Sequence, residues 1–424
     1  MNLKTLLAGW NRFFFEPVSP VPLGLFRIAF GLLLLAQGLV LAPDYLVWYG
    51  DHGVLSRAVA PRIPGGLGYT LMQHLPPGDA GPIAFFAAYM ASALLLTLGL
   101  FTRVNCILVF LATVSFHHRD ALLLNAGDYF MRLSSFFLIF SPAGAAFSAD
   151  RLIRLARGRE RGKPAPREPW AMRLIQIQLA LVYWNTFLWK IRGDTWLNGT
   201  SLYYTARLPE FWRFPVPYVF EHMWTIKLAT WGTLLVEFAL AVLIWIREFR
   251  YWVMLAGVML HLGIDYSMNI PFFGLIMMSG YIVFLEEDRL NLFFAWLRQK
   301  MNRPLQPALP IPVIYDGKCS FCARSIEVIQ ALDILRRFQF WNLHAPETKK
   351  AFPDLDKNRG LREALVRTPA GEWLGSFYAF RRMAKETPLG WVVYPLLLLP
   401  GLDKAGTRYY EKIASKRHRA VNPA

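Results

Sequence analysis

Two of the chain's three cysteines, Cys319 and Cys322, share one C-x-x-C inside the string Tyr315-Asp316-Gly317-Lys318-Cys319-Ser320-Phe321-Cys322. Thiols three residues apart lie about one turn apart if a helix starts there, close enough to be joined as a disulfide and parted again. A strand-like run (Ile311, Val313, Ile314, Tyr315) precedes the motif and a helix-like run from Ala323 to Leu335 follows it. Strand, turn, C-x-x-C and helix is the usual mounting for dithiol–disulfide chemistry. The attacking species is the thiolate, which the partial positive charge and free N–H groups of a helix N-terminus favour. Cys319 is therefore expected to be the exposed attacking thiol and Cys322, one turn in, the buried resolving thiol. Lys318 and Arg324 add positive charge, and Asp316 is a candidate proton acceptor for Cys322. The competing reading is half a zinc site. It needs two further ligands, and His344 is the obvious local one, so redox chemistry is preferred and no metal is assigned.

A second set of reactive residue types lies inside apolar segments, where charge is costly and usually functional. Lys190 closes one such segment and Glu237 sits in the middle of another. His261 and Asp265 are four residues apart and share a helical face. His118 follows a third segment and Asp128 opens a fourth, on one face with Arg132. A lysine held out of water could act as a base, which makes Lys190 a catalytic candidate. His118, Asp128, Glu237, His261 and Asp265 are cofactor-binding candidates. The structural alternative is that Glu237–Lys190 and Asp128–Arg132 pairs pin helices together and that His261 is a hydrogen-bonded interior residue.

The elements that must position these groups are mostly membrane elements. Hydrophobic residues make up 55% of the 424 and charged residues 18%, with mean hydropathy +0.30, which excludes an ordinary soluble protein and disorder. The net charge of +17 does not point to nucleic acid, because basic residues cluster at the ends of apolar runs and in one loop. A spanning helix needs about 20 apolar residues. Eight candidates fall near 23–42, 82–100, 104–116, 129–147, 174–191, 228–246, 252–270 and 271–286. The loop between the fourth and fifth carries eight Lys/Arg from Arg151 to Arg173, which marks it as cytoplasmic. Counting from there puts the N-terminus and the C-terminal region on the same side. The start of the chain lacks the pattern of a cleavable signal peptide. Cys106, in an apolar run, reads as an inert packing residue.

The expected organisation is a membrane domain over 1–295, a Pro-rich linker over 296–311 and a small α/β domain over 312–419. The small domain reads as strand 312–316, helix 320–335, strand 338–343 and helical residues near 346–364. A hairpin turning at Pro369-Ala370-Gly371 and helices at 376–386 and 402–416 follow. The apolar stretch Trp391–Leu399 is too short to span and reads as core, with a place on the membrane face as the alternative.

Y-D-G-K-C-S-F-C-A-R-S resembles the signature of the DCC thiol-disulfide oxidoreductase family, as do Leu365–Trp373, Gly375–Phe380 and the end from Tyr410 to Arg419. The resemblance covers 311–419 and implies a thioredoxin-like fold with Asp316, Cys319 and Cys322 as the functional residues. Pro369 reads as a hairpin residue, so the thioredoxin cis-proline has no clear counterpart. Residues 20–295 resemble the HTTM family, whose relatives include vitamin K-dependent gamma-carboxylases. The likeness lies in Leu23–Gly31, Asn125–Asp128, Gln176–Tyr183 and above all Lys190-Ile191-Arg192-Gly193-Asp194-Thr195-Trp196. It implies a quinone-handling membrane domain in which Lys190 matches the base that activates reduced vitamin K. It also implies a histidine within Asn125–Asp128, where this chain has Gly127.

The reading reached is an α-helical polytopic membrane bundle of about eight transmembrane helices followed by a small α/β thioredoxin-like domain. It sits in a bacterial-type cytoplasmic membrane with both the N-terminus and the C-terminal domain cytoplasmic. The expected activity is thiol–disulfide exchange through Cys319 and Cys322, of protein-disulfide reductase type, with a quinone as the candidate cofactor. The expected partners are the lipid bilayer and a protein or peptide thiol or disulfide, and no nucleic acid. The alternatives are a carboxylase-like peptide-modifying enzyme with Lys190 as base, and a membrane scaffold whose dithiol senses redox state.

Overall fold

The computed structural model describes residues 2–302 and 310–421 except 57–58, 60–68 and 121–123, with side chains as far as 412. The chain divides into two compact units. The first comprises Met1–Asp150 and Pro164–Glu286, and the second Arg151–Lys163 and Glu287–Ala424.

The first unit is helical. After an N-terminal helix Leu3–Phe15 come α1 (Val21–Leu41), α2 (Ala80–Leu98), α3 (Thr102–Arg119), α4 (Ala126–Phe140), α5 (Trp170–Lys190), α6 (Met223–Val242), α7 (Arg247–Ser267) and α8 (Phe273–Ser279). A helix thus stands at each of the eight expected places. Among the described residues, three segments are both long and apolar enough to cross a membrane: Val21–Tyr49, Ala80–Leu98 and Met223–Trp245. The remaining five fall short for local reasons. Arg103, Asn105, His117, His118 and Arg119 make the ends of α3 polar, and α4 stops at Ser141-Pro142, well before the expected 147. α8 is a short apolar helix that tightens into a 3₁₀ turn over Gly280–Phe284.

The core of this unit is built from Phe26, Phe30, Phe130, Leu138, Ile175 and Leu179 on α1, α4 and α5. Cys106 belongs to it, 1% exposed, as a packing residue should. Arg27 is fully buried and donates to Ala143 O at 2.8 Å and Ala146 O at 3.3 Å, satisfying the turn after α4. Gly99 ends α2 in the left-handed region, φ 66°. A Cβ there would stand 2.5 Å from Ser148 Cβ and 2.7 Å from Arg27 Nη1, so the turn needs glycine on both counts.

The second unit opens with α9 (Glu287–Asn302). Residues expected as linker, 296–302, are the end of this helix. Of the prolines expected there, Pro304 and Pro307 lie outside the described residues. Next come β1 (Ile311–Tyr315), α10 (Ser320–Leu332), β2 (Phe338–Asn342), α11 (Pro346–Ala351), α12 (Lys357–Arg362), β3 (Leu365–Arg367), β4 (Trp373–Gly375), α13 (Ser376–Glu386), α14 (Pro388–Val393) and α15 (Leu402–Val421). The strands form one mixed sheet in the order β2-β1-β3-β4. β1 runs parallel to β2, with Val313 opposite Phe340, and antiparallel to β3, with Val313 opposite Val366. Alternation along β1 and β3 divides the core. Ile311, Val313 and Val366 pack with Ile326 of α10 and Ala379 and Met383 of α13, while Ile314 and Leu365 pack with Leu343 and Phe352. The β3–β4 turn is closed by Gly371 N–H donating to Thr368 O at 3.0 Å, with Pro369 inside it as expected.

A further expectation fails in this unit. Trp391–Leu399 is not core: Trp391 is 43% exposed, Val392 76% and Leu396 58%. Pro388, Pro395 and Pro400 break the stretch into single turns, so it presents no continuous face to the sheet.

Candidate functional site

The C-x-x-C lies where β1 gives way to α10. Cys319 is the N-cap residue, with extended backbone, and the N–H of Cys322 donates to its Sγ at 3.4 Å. A thiolate at Cys319 therefore meets a backbone donor already in place at the positive end of the helix. Cys319 does not lie at the surface: it and Cys322 are each 6% exposed. The reason is local. The N-cap geometry turns the Cys319 sulfur back onto the first turn, leaving Lys318, Ser320 and Phe321 to form the surface around it.

The turn into the helix is fastened from β2. Asn342 Oδ1 accepts the N–H of Gly317 at 3.2 Å and that of His344 at 3.1 Å. A Cβ on Gly317 would come within 2.4 Å of the Asn342 amide, so a glycine is required by close approach. Asp316 Oδ1 accepts the Lys318 N–H at 3.0 Å and pairs with His344 Nε2 at 2.8 Å. His344, considered above as a zinc ligand, is thus tied to the aspartate two residues before the motif's lysine. Asn342 was not singled out from the sequence, because nothing in its spacing shows that β2 brings it against the turn.

Residues Arg151–Lys163, the basic loop, belong to the same unit. Gly162 N–H donates to Glu327 Oε2 on α10 at 2.9 Å, and Gly158 lies against the Arg324 side chain. The loop is internally braced by Glu160, which pairs with Arg151 and Arg154 at 2.9 Å each.

In the first unit the ionisable candidates separate. Lys190 Nζ pairs with Glu237 Oε1 and lies 4.7 Å from the centre of the Trp196 ring. His261 Nε2 meets Tyr183 OH at 2.7 Å, and Tyr183 OH meets Tyr281 OH at 2.7 Å. Tyr183, Thr186 and Lys190 follow one another at i, i+3 and i+7 on α5, along one face. Glu237 Oε2 and His261 Nδ1 are both buried without a hydrogen-bond partner. Asp265 Oδ1 accepts the Gly274 N–H at 3.2 Å at the start of α8, next to Phe273, whose ring lies 5.5 Å from that of His261. Asp128 accepts the Asn125 N–H at 2.8 Å and closes a capping box, while Arg132 lies over Tyr129. The imagined Asp128–Arg132 pair is replaced by those two contacts. His118 Nδ1 lies 2.6 Å from Tyr69 O. Gly127 stands in the stretch where the carboxylase resemblance implied a histidine. An added Cβ would lie 2.9 Å from Asn125 Oδ1 and 3.3 Å from Ile276 Cδ1, so a side chain there requires Asn125 and Ile276 to shift. Tyr183 and Tyr281 were not candidates in the sequence, where tyrosines on apolar helices look like packing.

These features define a helical membrane protein that carries a dithiol on a small mixed-sheet unit. Residues 15–289 match the family model of the HTTM domain, and the chain belongs to the HTTM family. Residues 313–422 match the model of the DCC1-like thiol-disulfide oxidoreductase. Among curated proteins the chain is similar to sporulation-delaying protein SdpB of Bacillus subtilis (strain 168), 27% identical over 132 residues. That alignment covers 30% of this chain and 41% of the relative, so the chain spans under half of that protein's length. No solved structure matches the chain.

Proposed function

We propose that this protein is a membrane-tethered thiol–disulfide oxidoreductase of protein-disulfide reductase type, with Cys319 as nucleophile and Cys322 as resolving thiol. The observation that carries it is Cys319 as N-cap of α10, its sulfur already accepting the Cys322 N–H. The β2-β1-β3-β4 order is the arrangement expected of a thioredoxin-like domain. In the reaction the Cys319 thiolate attacks one sulfur of a substrate disulfide. A Cys319–substrate disulfide forms, and the other substrate sulfur leaves and takes up a proton. Cys322, deprotonated through Asp316, attacks Cys319 Sγ and frees the second substrate thiol. Two electrons pass to the substrate, and the protein is left with a Cys319–Cys322 disulfide. With Cys322→Ser the mixed disulfide should accumulate and be recovered by mass spectrometry. If neither thiol can be alkylated or oxidised in the intact protein, the proposal is wrong.

The sidedness that goes with this reading is cytoplasmic for both the basic loop and the dithiol unit, supported by the Gly162–Glu327 contact and the density of Arg in the loop. Eight spans are part of the same proposal.

A second reading has one observation in its favour, the buried polar cluster of Lys190, Glu237, Tyr183, His261 and Tyr281. Its unpartnered Glu237 Oε2 and His261 Nδ1 could hydrogen-bond a quinone head group. A dithiol giving two electrons and two protons to a quinone would yield a disulfide and a quinol. Purified protein in lipid that fails to bleach a quinone's absorbance when supplied with dithiol would remove this reading.

A further inference from the structure

The second unit exposes an apolar segment that its own fold does not use. Between α13 and α15 the chain makes two short turns, α14 and Leu396–Leu398. Leu389, Val392, Leu396, Leu398 and Leu399 are all more than half exposed. The segment is too short to cross a bilayer, and its prolines keep it from pairing with a sheet edge. An apolar surface of this kind on a folded unit marks a docking site.

Three observations identify the occupant as a bilayer surface. The first is the joint at its base. Arg337, 5% exposed, donates to Glu386 O at 2.9 Å, at the end of α13, and to Asn302 Oδ1 at 3.0 Å, at the end of α9. Its guanidinium carbon lies 6.0 Å from the centre of the Trp391 ring. The apolar segment is therefore keyed to the helix whose first residues fall at the edge of the HTTM match, which ends at residue 289. The second is α9 itself. Leu292, Phe293 and Trp296 are 63%, 53% and 54% exposed, and Lys300 Nζ lies 5.3 Å from the Trp296 ring centre. A lysine reaching past an exposed tryptophan is how helices lie in a membrane interface. The third is charge and aromatic placement. Lys385 precedes the segment, and Lys404 and Arg408 follow it, all three exposed. Trp391 has its indole N–H satisfied by Lys385 O at 2.9 Å while part of its ring stays open. Apolar tips, a tryptophan at their base and cations behind match the layers of a leaflet of anionic lipid.

We propose that Leu389–Leu399 and the exposed stripe of α9 form one lipid-docking surface that lays the dithiol unit on an anionic bilayer. The tips reach the headgroup–acyl boundary, about 5–10 Å deep as for interfacial helices. The consequence is orientation: the C-x-x-C is presented at the membrane surface to substrates that are themselves membrane-bound or emerging from the bilayer.

The test uses the full chain reconstituted in vesicles of phosphatidylcholine with phosphatidylglycerol. Nitroxide labels are placed through Val392→Cys or Leu396→Cys, and a control through Lys404→Cys, in a chain with Cys319→Ser and Cys322→Ser. The expected result is collision with oxygen and several-fold exclusion of a water-soluble nickel chelate at 392 and 396, with the reverse at 404. Replacing phosphatidylglycerol with phosphatidylcholine should raise nickel access at 392. A label at 392 as open to the nickel chelate as the label at 404 overturns the proposal. So does one closed to both oxygen and nickel, because protein then covers the segment, whether another part of this chain or a second copy. Both labelled positions are surface sites, so folding is not at stake, and a Val392→Glu, Leu396→Glu chain labelled at Leu398→Cys should show the nickel access restored.

Discussion

Gly162 donates its backbone N–H to Glu327 Oε2 at 2.9 Å, which fastens the basic loop to the helix that carries the two reactive sulfurs. A contact of this kind requires that both ends of it lie on one side of the membrane. Impermeant maleimide should therefore label Lys163→Cys and Lys349→Cys from the same face. With the loop cytoplasmic, both should react in inside-out vesicles and neither in intact cells. Labelling of the two from opposite faces would break the assignment. Glu327→Ala should leave thiol exchange in place and make the loop more sensitive to protease, since it removes one charge-assisted bond of about 1.5–3 kcal/mol.

Asp316 and His344 make the most exacting test of the redox site. Asp316 orders the Lys318 N–H and accepts from or pairs with His344 at 2.8 Å. If Asp316 moves the proton of Cys322, Asp316→Asn should slow resolution of the mixed disulfide by about a hundredfold, in line with the loss of a positioned acid–base group. The attack by Cys319 should change far less. His344→Gln, which can still hydrogen-bond Asp316, should fall between wild type and Asp316→Asn. Stopped-flow measurement of the two steps separates these outcomes, and equal slowing of both by Asp316→Asn would reduce the aspartate to a structural role.

Asp333 carries a pH signature away from the dithiol. It is buried, and it accepts the N–H groups of Arg337 at 2.9 Å and Phe338 at 3.0 Å. Burial raises its carboxyl pKa above the ordinary aspartate value, and the two N–H bonds and nearby arginines only partly offset that. A raised folded pKa means that the folded state holds the proton more tightly. Stability from this group therefore increases as pH falls through the raised value toward the unfolded value near about 4. Asp333→Asn removes the titration and keeps one acceptor. The difference in melting temperature, Asn variant minus wild type, should be greatest near neutral pH and shrink on acidification. A difference that grew on acidification would reverse the sign argued here.

How much of this was legible beforehand differs from element to element. The β1–turn–α10 arrangement could be read because Gly317, the C-x-x-C and a change from alternating to helical periodicity fall within a dozen residues. The β3–β4 hairpin was marked by Pro369-Ala370-Gly371. The helix over 296–302 was not legible in the expected linker, because Leu292–Leu297 is apolar whether a helix crosses a bilayer or lies along it. Trp391–Leu399 was read as core for the same reason: hydrophobicity says that a surface wants cover and leaves open what covers it. Spacing puts His261 and Asp265 on one face of α7. Their partners, Tyr183 and Gly274, come from other segments, and no period in the sequence encodes them.

The ion pair of Lys190 with Glu237 allows structure and catalysis to be told apart. Glu237 Oε2 has no hydrogen-bond partner, so removing the lysine takes the cationic partner from a buried carboxylate. Lys190→Ala alone should destabilise the first unit by about 3 kcal/mol, the low end for orphaning a buried charge, because the Lys190 side chain is 25% exposed. Loss of function in that variant therefore says nothing about a base. The informative chain is Lys190→Met with Glu237→Gln, which removes both charges at similar volume and should recover most of the stability. If that double variant melts like wild type yet loses a membrane-unit function, such as quinone-dependent oxidation of the dithiol, Lys190 acts on a substrate. Should both stability and function return, the pair is a clamp between α5 and α6, and the carboxylase-like role for Lys190 ends there.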